Sequence, residues 1–564
     1  MPGLQTGNYC CLAFAAICRR ALVIALGMCL CQSPDVAVAA GFEGSEYYPR
    51  GKCGPYPRAQ VKTPDWACVG LVAGPDRGFT RPRSILQVSE SKFVITDMVK
   101  WTARRRGKIF LLDTSKPGRR RVSILFNDRN VPHGLAMGPD GWVYVGDEDR
   151  IWRFSMSDPQ GSAETVLDGL PAKLTRSRRF ENISNHWHPL SHIRFDLNGN
   201  LLINIGAPRD SCALKGNRSM QNPMPCPWVD GPNPQAAVWS LSFDWPQGAP
   251  GRPGAFKPLA RGLRNSMALA VHPRSGMILQ AENNIDIWGK KSHPRLPPEE
   301  LNILQSGGHY GWPYCAGKDL VNPVYRGRVK NCGRFKRPVV LMPAHAAPIG
   351  MTYYFGRMFP ELSGKLVVAL HGFRKWGQRI VAYDAGEDGR PIAPPSRSGQ
   401  PGLPLVLVGN WSKRRGVRPK GRPIGFAVGR DGAIWFIDDY AKTVMVLLRK
   451  ENADSPRDRG PGGSDGQDSP LAVAPAPAGW SEIYSTMLQG QCRRCHAEFT
   501  HANAARAWED LVLKGFVDPG DIVQSSMVQR MLGQGAGRPM PPSAGLAQSP
   551  AALARLQAFL AGLN

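Results

Sequence analysis

The chain has 564 residues, with 71 Lys and Arg against 44 Asp and Glu and a formal net charge of +27. That length allows roughly two to four domains with real cores, and the cationic balance favours acidic partners. The basic residues are scattered in short knots such as Arg104–Arg106 and Arg119–Arg121, with no basic helix or aromatic-interleaved stripe, so nucleic-acid binding is excluded.

Residues 1–40 read as a signal peptide. Arg19-Arg20 precede the apolar run ALVIALGMCLC, and Ala37-Val38-Ala39 offers a small-residue cleavage site. The run is shorter than the ~20 residues a standard span needs. Export to the periplasm follows; left uncleaved, the segment would be an N-terminal membrane anchor. Of 13 cysteines, five lie in this segment. Six of the rest form close pairs: Cys53 with Cys68, Cys212 with Cys226, and Cys315 with Cys332. In an oxidising compartment they are predicted to form local disulfides closing short surface loops.

Residues 41–450 are strand-like. Six apolar runs each follow turn residues: SKFVITD ending at Asp97, DGWVYVGD at Asp147, NGNLLINIG at Gly206, SGMILQAEN at Asn283, SGKLVVALHG at Gly372 and DGAIWFIDD at Asp439. Asp-Gly, Asn-Gly and Ser-Gly suit hairpins because glycine reaches positive φ without strain. The spacing of about 50 to 90 residues leaves room for one four-stranded sheet per run. This predicts an all-β six-bladed propeller, with a pair of β-sandwiches as the competing arrangement.

Residues 451–479, rich in Gly, Pro, Ser, Asp and Ala, form a predicted linker. From 480 to 564 the apolar period becomes helical, as in SPAALARLQAFLAGLN, and predicts a small all-α domain. It contains Cys492-Arg493-Arg494-Cys495-His496. Two thiols three apart form thioethers to one haem, and the following histidine ligates the iron. A zinc knuckle would need a second Cys/His pair, and a thioredoxin-like site a βαβ context; neither follows. Met527 and Met531 sit four apart on a helical pattern and read as core. Met540, in the stiff loop GRPMPP, is the candidate sixth ligand. The domain resembles class I c-type cytochromes.

The stretch NHWHPLSH, from Asn185 to His192, holds three of the chain's 11 histidines. In an extended segment His186, His188 and His192 share one face. A metal site, a catalytic base with neighbours and a satisfied loop all fit.

No G-x-G-x-x-G follows a strand and opens a helix, which excludes a Rossmann-bound nicotinamide or flavin. The remaining polar clusters are GLRNS (Arg264, Asn265), AEN ending at Asn283, EELN, HYGWPYC, HGF-R (His371, Arg374) and GRPIG (Arg422), with His345 in PAHAAP. Together, from about residue 75 to 447, they resemble the soluble glucose and sorbosone dehydrogenases, six-bladed propellers that use pyrroloquinoline quinone (PQQ). Some members carry a fused c-type cytochrome.

The resemblance implies roles. Arg264 lies beside the quinone with Asn265 as its neighbour, and Arg422 and Arg374 hold its carboxylates. A calcium ion is held by backbone carbonyls around Asn284 and Ile285. His188, eleven residues before Gly199, is the base that takes the substrate hydroxyl proton. Electrons then pass singly to haem c, held by Cys492, Cys495, His496 and Met540. The implied activity is oxidation of a sugar, aldose or related alcohol, with a cytochrome, quinone or oxidase as external acceptor and at most peripheral membrane contact. Two departures stand out: Pro189, Leu190, Ser191 and His192 replace the family's Thr-Arg pair, and the Gly-Pro of the calcium segment is missing. A calcium-dependent lactonase-like hydrolase and a non-enzymatic scaffold are the competing readings.

Overall fold

The computed structural model describes residues 47–450 apart from 102–103, 117–120, 173–176, 178, 181–185, 216–219, 247, 290–291, 373, 375, 397–400 and 412–420. In the C-terminal region it describes 476–488, 503–513, 517, 522–523, 525–532 and 550–561. The predicted signal peptide, the motif Cys492–His496, Met540 and residues 451–475 of the linker lie outside the described residues.

Six antiparallel blades make the propeller. Their first strands are Pro82–Ser89, Gly134–Met137, Ile193–Phe195, Ala268–Val271, Pro348–Tyr353 and Pro423–Val428. The second strands are Lys92–Asp97, Val143–Asp147, Leu201–Ile205, Ile278–Glu282, Leu366–Leu370 and Ile434–Asp438. These are the six apolar runs. Their side chains are nearly all buried, because each second strand is covered on both faces by neighbouring blades. Fully burying one such Val, Leu or Ile contributes roughly 1.5–3 kcal/mol. The glycines before five of the runs, Gly141, Gly199, Gly276, Gly364 and Gly432, all have positive φ, as their turns require.

Ring closure uses the N-terminal end of the propeller. Ala67–Ala73 pairs antiparallel with Thr443–Arg449 and becomes the outer strand of blade 6. The last blade is thus built from both ends of the propeller, which leaves no open sheet edge between first and last blades. Blade 3 departs from four strands: Gly308–His309 adds a parallel fifth beside its outer strand.

All three predicted disulfides are present, at Cα separations of 5.7, 6.1 and 5.9 Å. All six cysteines are buried, while the loops they close carry exposed residues such as Lys62 and Asp65 or Lys318 and Arg326. Cys212–Cys226 and Cys315–Cys332 sit in one apolar cluster with Trp228, Trp312, Tyr314 and Ile285.

In the C-terminal region, Trp480–Ile483, Ala504–Leu513, Ser526–Met531 and Pro550–Ala561 are helical. Trp480, Trp508, Leu511, Met527, Met531 and Leu556 share one apolar core. The two methionines are therefore packing residues. Among the described residues no helix is long and apolar enough to cross a membrane.

Candidate functional site at the channel mouth

In each blade the first strand begins, and the antiparallel second strand ends, at the same face of the ring. That topology gathers residues far apart in sequence. Arg83, His133, His192, Asn265 and Arg422 lie at or just before first strands, while Asp97, Asp147, Ala207, Glu282, His371 and Asp439 lie at or just after second strands. Glu282 ends a second strand, one step out from the channel, and Asn283 and Asn284 follow it.

His188 is half-buried, and its Nδ1 lies 2.6 Å from the Ala207 carbonyl. A carbonyl only accepts, so Nδ1 carries the proton and Nε2 is the basic nitrogen. The Ala207 N–H donates in turn to the Arg264 carbonyl at 2.6 Å. Gly206 makes the close approach possible: a Cβ there would stand 2.5 Å from the His188 Cβ and 3.0 Å from the Arg264 carbonyl oxygen.

The other two histidines do not join it. The chain from His186 to His192 is not a strand, so the expected shared face does not form. His186 is buried and its Nε2 pairs with the Gln235 Oε1 at 2.9 Å; burial pushes its imidazole down to about 3. It is a neutral core histidine. Burial, helped by Arg194, lowers His192 to about 4.

Arg264 is buried at 4% exposure. Its Nη1 donates to the Asn283 carbonyl at 2.7 Å, and its Nη2 reaches Asp210 at 2.8 Å and Asp286 at 3.1 Å. Asp210 also accepts the Asp286 and Ile287 backbone N–H groups. One carboxylate therefore holds both the guanidinium and the loop beneath it. The Arg264 Nε is buried without an acceptor.

Asn265 donates its backbone N–H to Glu282 and accepts from the Asn283 N–H. The Asn284 side chain is consumed by Pro298, Glu300 and the Ile285 N–H, and Ile285 is buried in the apolar cluster. Only backbone oxygens at these two positions are left as ligands. Three buried glutamates line the same segment. Burial, reinforced by Glu300, raises Glu282 to about 8, and burial raises Glu299 and Glu300 to about 7.

Arg422 carries its guanidinium 5.2 Å from the Tyr440 ring centroid, with a buried Nε that lacks an acceptor. Arg374 donates to the Ser292 hydroxyl at 2.8 Å. His345 donates Nε2–H to the His293 carbonyl at 2.7 Å.

A second cluster was not foreseen as such. Asp439 accepts from Arg83 through a short ion pair and from His371 Nε2 at 3.0 Å. Arg83 Nε donates to His133 Nε2 at 2.8 Å, and Trp101 stacks on His133. Burial would raise the Asp439 carboxyl, but His371 and Arg83 outweigh it and hold it below the usual carboxylate range. Burial lowers the Arg83 guanidinium to about 10 against the pull of Asp439. The sequence signal was the charged residue closing the DGAIWFIDD run. Asp210 had none, since its partner lies 54 residues later.

With that geometry described, comparison with known proteins decides the family likeness. Residues 257–386 match the Glucose / Sorbosone dehydrogenase family. A PQQ-dependent sugar dehydrogenase of Hypocrea jecorina is 23% identical over 253 residues, covering 42% of this chain and 54% of that protein. An uncharacterized Borreliella burgdorferi protein is 30% identical over 194 residues, covering 33% of this chain and 47% of that protein. The chain spans about half the length of these curated relatives. Among solved structures, the holo PQQ domain of pyranose dehydrogenase from Coprinopsis cinerea has a TM-score of 0.52 at 18% identity, covering 70% of this chain and 98% of that one. The calcium structure of a Trichoderma reesei carbohydrate-active enzyme, family AA12, scores 0.51 at 18% identity, covering 69% and 97%. Identity this low carries the fold alone. The glucose/sorbosone dehydrogenase match and the shared fold together support a six-bladed propeller related to PQQ-dependent sugar dehydrogenases.

Proposed function

We propose that the chain is a periplasmic PQQ-dependent dehydrogenase of a sugar, aldose or related alcohol, with a covalent haem c as its built-in electron carrier. One observation carries the reading. At a single end of the channel stand a histidine with Nδ1 pinned by a carbonyl and two buried guanidinium Nε–H groups, on Arg264 and Arg422, with no acceptor among the described residues. Buried donors of this kind call for a partner, and a tricarboxylate quinone supplies one.

The residues fit the group. Arg264, Arg422 and Arg374 supply cations for its carboxylates, with Asn265 beside Arg264. The Asn283 Oδ1 is buried without a donor, an oxygen suited to calcium, next to the backbone of Asn284 and Ile285. PQQ held there would supply a two-electron hydride acceptor. The protein's part is to hold and move the proton. His188 Nε2, kept basic by the Ala207 carbonyl on Nδ1, receives the substrate hydroxyl proton. Asp210 and Asp286 hold Arg264 in place. In this reading Cys492 and Cys495 attach the haem through thioethers, His496 and Met540 ligate its iron, and an acidic redox partner suits the net charge.

The test is reconstitution of the full chain with PQQ and calcium, followed by aldoses, sorbosone-like aldehydes and alcohols, with haem absorbance as readout. Substrate-dependent haem reduction that needs PQQ supports the proposal. Reduction without PQQ, or none with any substrate, overturns it.

A further inference from the structure

Blade 1 carries a groove that plays no part in the chemistry above. Its cavity of about 530 Å³ is lined by Thr80, Arg105, Arg106, Lys108, Asn127 and Asp128. Arg105 and Arg106 belong to one of the basic knots in the sequence and are exposed. Three cations line it with the Asp128 carboxylate; Lys108 also acts on the buried Asp97 carboxyl and lies 6.0 Å from the Phe110 ring centroid, but among the described residues none of the three makes an ion pair. The wall is conformationally constrained: Val99, Arg105 and Asp128 all hold positive φ, at 61, 52 and 58°, which non-glycine residues adopt only when their surroundings over-determine them. Asp97 organises the rim by accepting the Thr80, Arg81 and Val99 N–H groups.

The position is informative. Thr80 precedes the first strand, Val99 follows the second, Lys108 opens the third and Asn127 and Asp128 end the fourth, so the groove opens on the same face as His188 and Arg264. Its outer wall is three strands from the channel, roughly 15 Å at about 4.8 Å per strand. Trp101, on the loop that carries Arg105, packs on His133 toward the channel. A concavity of this size suits a small polar ligand, whereas a protein partner docks on a flatter surface with an aromatic core. Guanidinium and ammonium groups select a carboxylate or sulfate, and Thr80, Asn127 and Asp128 supply the groups that hydroxyls need.

We propose that this groove is a remote subsite for the anionic residue of an acidic oligosaccharide whose terminal sugar reaches the channel mouth. The inference rests on the sugar-dehydrogenase reading, but its test is direct binding and needs no turnover. Oligogalacturonates and neutral oligosaccharides of equal length are titrated calorimetrically into the full chain. The acidic ligand is expected to bind at least tenfold more tightly, and Arg105→Gln/Arg106→Gln to remove that preference; Lys108→Gln is expected to weaken it less. Arg252→Gln/Arg326→Gln, a charge-matched pair elsewhere, is expected to leave it intact. Equal binding of acidic and neutral ligands, or equal losses in the two double variants, overturns the proposal. So does unchanged oligosaccharide binding in the groove variant, whatever happens to transfer toward an acidic redox protein. A sulfated oligosaccharide in parallel shows whether carboxylate or sulfate is preferred.

Discussion

His188 and Arg264 are 76 residues apart in the chain and joined through one residue: the Ala207 carbonyl takes the His188 Nδ1–H, and the Ala207 N–H binds the Arg264 carbonyl, both at 2.6 Å. An imidazole and the backbone of an arginine are thereby held in register by the backbone of a third residue. The bridge depends on Gly206, whose missing side chain lets the two segments meet.

His188→Ala is expected to lower kcat by 10²–10⁴-fold, the usual contribution of a positioned base, with PQQ affinity within a fewfold of wild type. Gly206→Ala, whose Cβ presses on the His188 Cβ and the Arg264 carbonyl while both of those residues keep their side chains, is expected to lower kcat by a smaller factor. Steady-state kinetics beside a PQQ titration separates the two effects. Loss of PQQ binding in His188→Ala would assign that residue to structure.

Asp210→Ala removes the acceptor shared by Arg264 and the Asp286–Ile287 backbone. Asp286 remains as a partner, so the loss is smaller than for an orphaned buried charge, about 2–3 kcal/mol. Urea denaturation without cofactor reads this directly. PQQ affinity is expected to fall with it.

Arg83→Met leaves Asp439 buried with the His371 Nε2 hydrogen bond at 3.0 Å as its remaining side-chain contact. Breaking such a pair costs roughly 3–5 kcal/mol. Arg83→Met/Asp439→Asn is expected to recover part of it, because the uncompensated charge is gone. If the double variant is as unstable as the sum of the singles, the two residues do not act as a pair.

Asp147 reports on pH. Burial raises its carboxyl to about 7, against the Trp152 Nε1 hydrogen bond at 3.0 Å. Between the unfolded value near 4 and about 7 the native state holds a proton that the unfolded state has lost, so its contribution to stability falls as pH rises through that window and levels off above it. Asp147→Asn keeps an oxygen for Trp152 and cannot ionise. Relative to wild type it is expected to gain Tm steadily from pH 4 to 7. Parallel Tm curves would show that Asp147 is ionised in the fold.

Much of the fold was legible because the six second strands are covered on both faces and must be continuously apolar, while their turns need glycine at positive φ. NGNLLINIG ending at Gly206 and DGAIWFIDD ending at Asp439 announce both features locally. The disulfides were legible for a related reason: partners 14 to 17 residues apart have few alternatives. The candidate site was legible only where residues flank these repeating elements, as Arg264 does just before a first strand and His371 just after a second one.

What the sequence by itself determined is therefore the repeat, the blade count and the three disulfides, since each is written in short-range pattern. Tertiary structure alone decided the rest. Ala67–Ala73 closes the ring with Thr443–Arg449 because only a completed barrel of blades satisfies both edges. His186 and His188, two residues apart, diverge into a buried pair with Gln235 and a carbonyl-pinned, half-buried imidazole because blade packing leaves different acceptors beside each. Asp210 and Asp439 acquire their roles from partners on other blades, and no local pattern encodes a contact between residues brought together only when the ring closes.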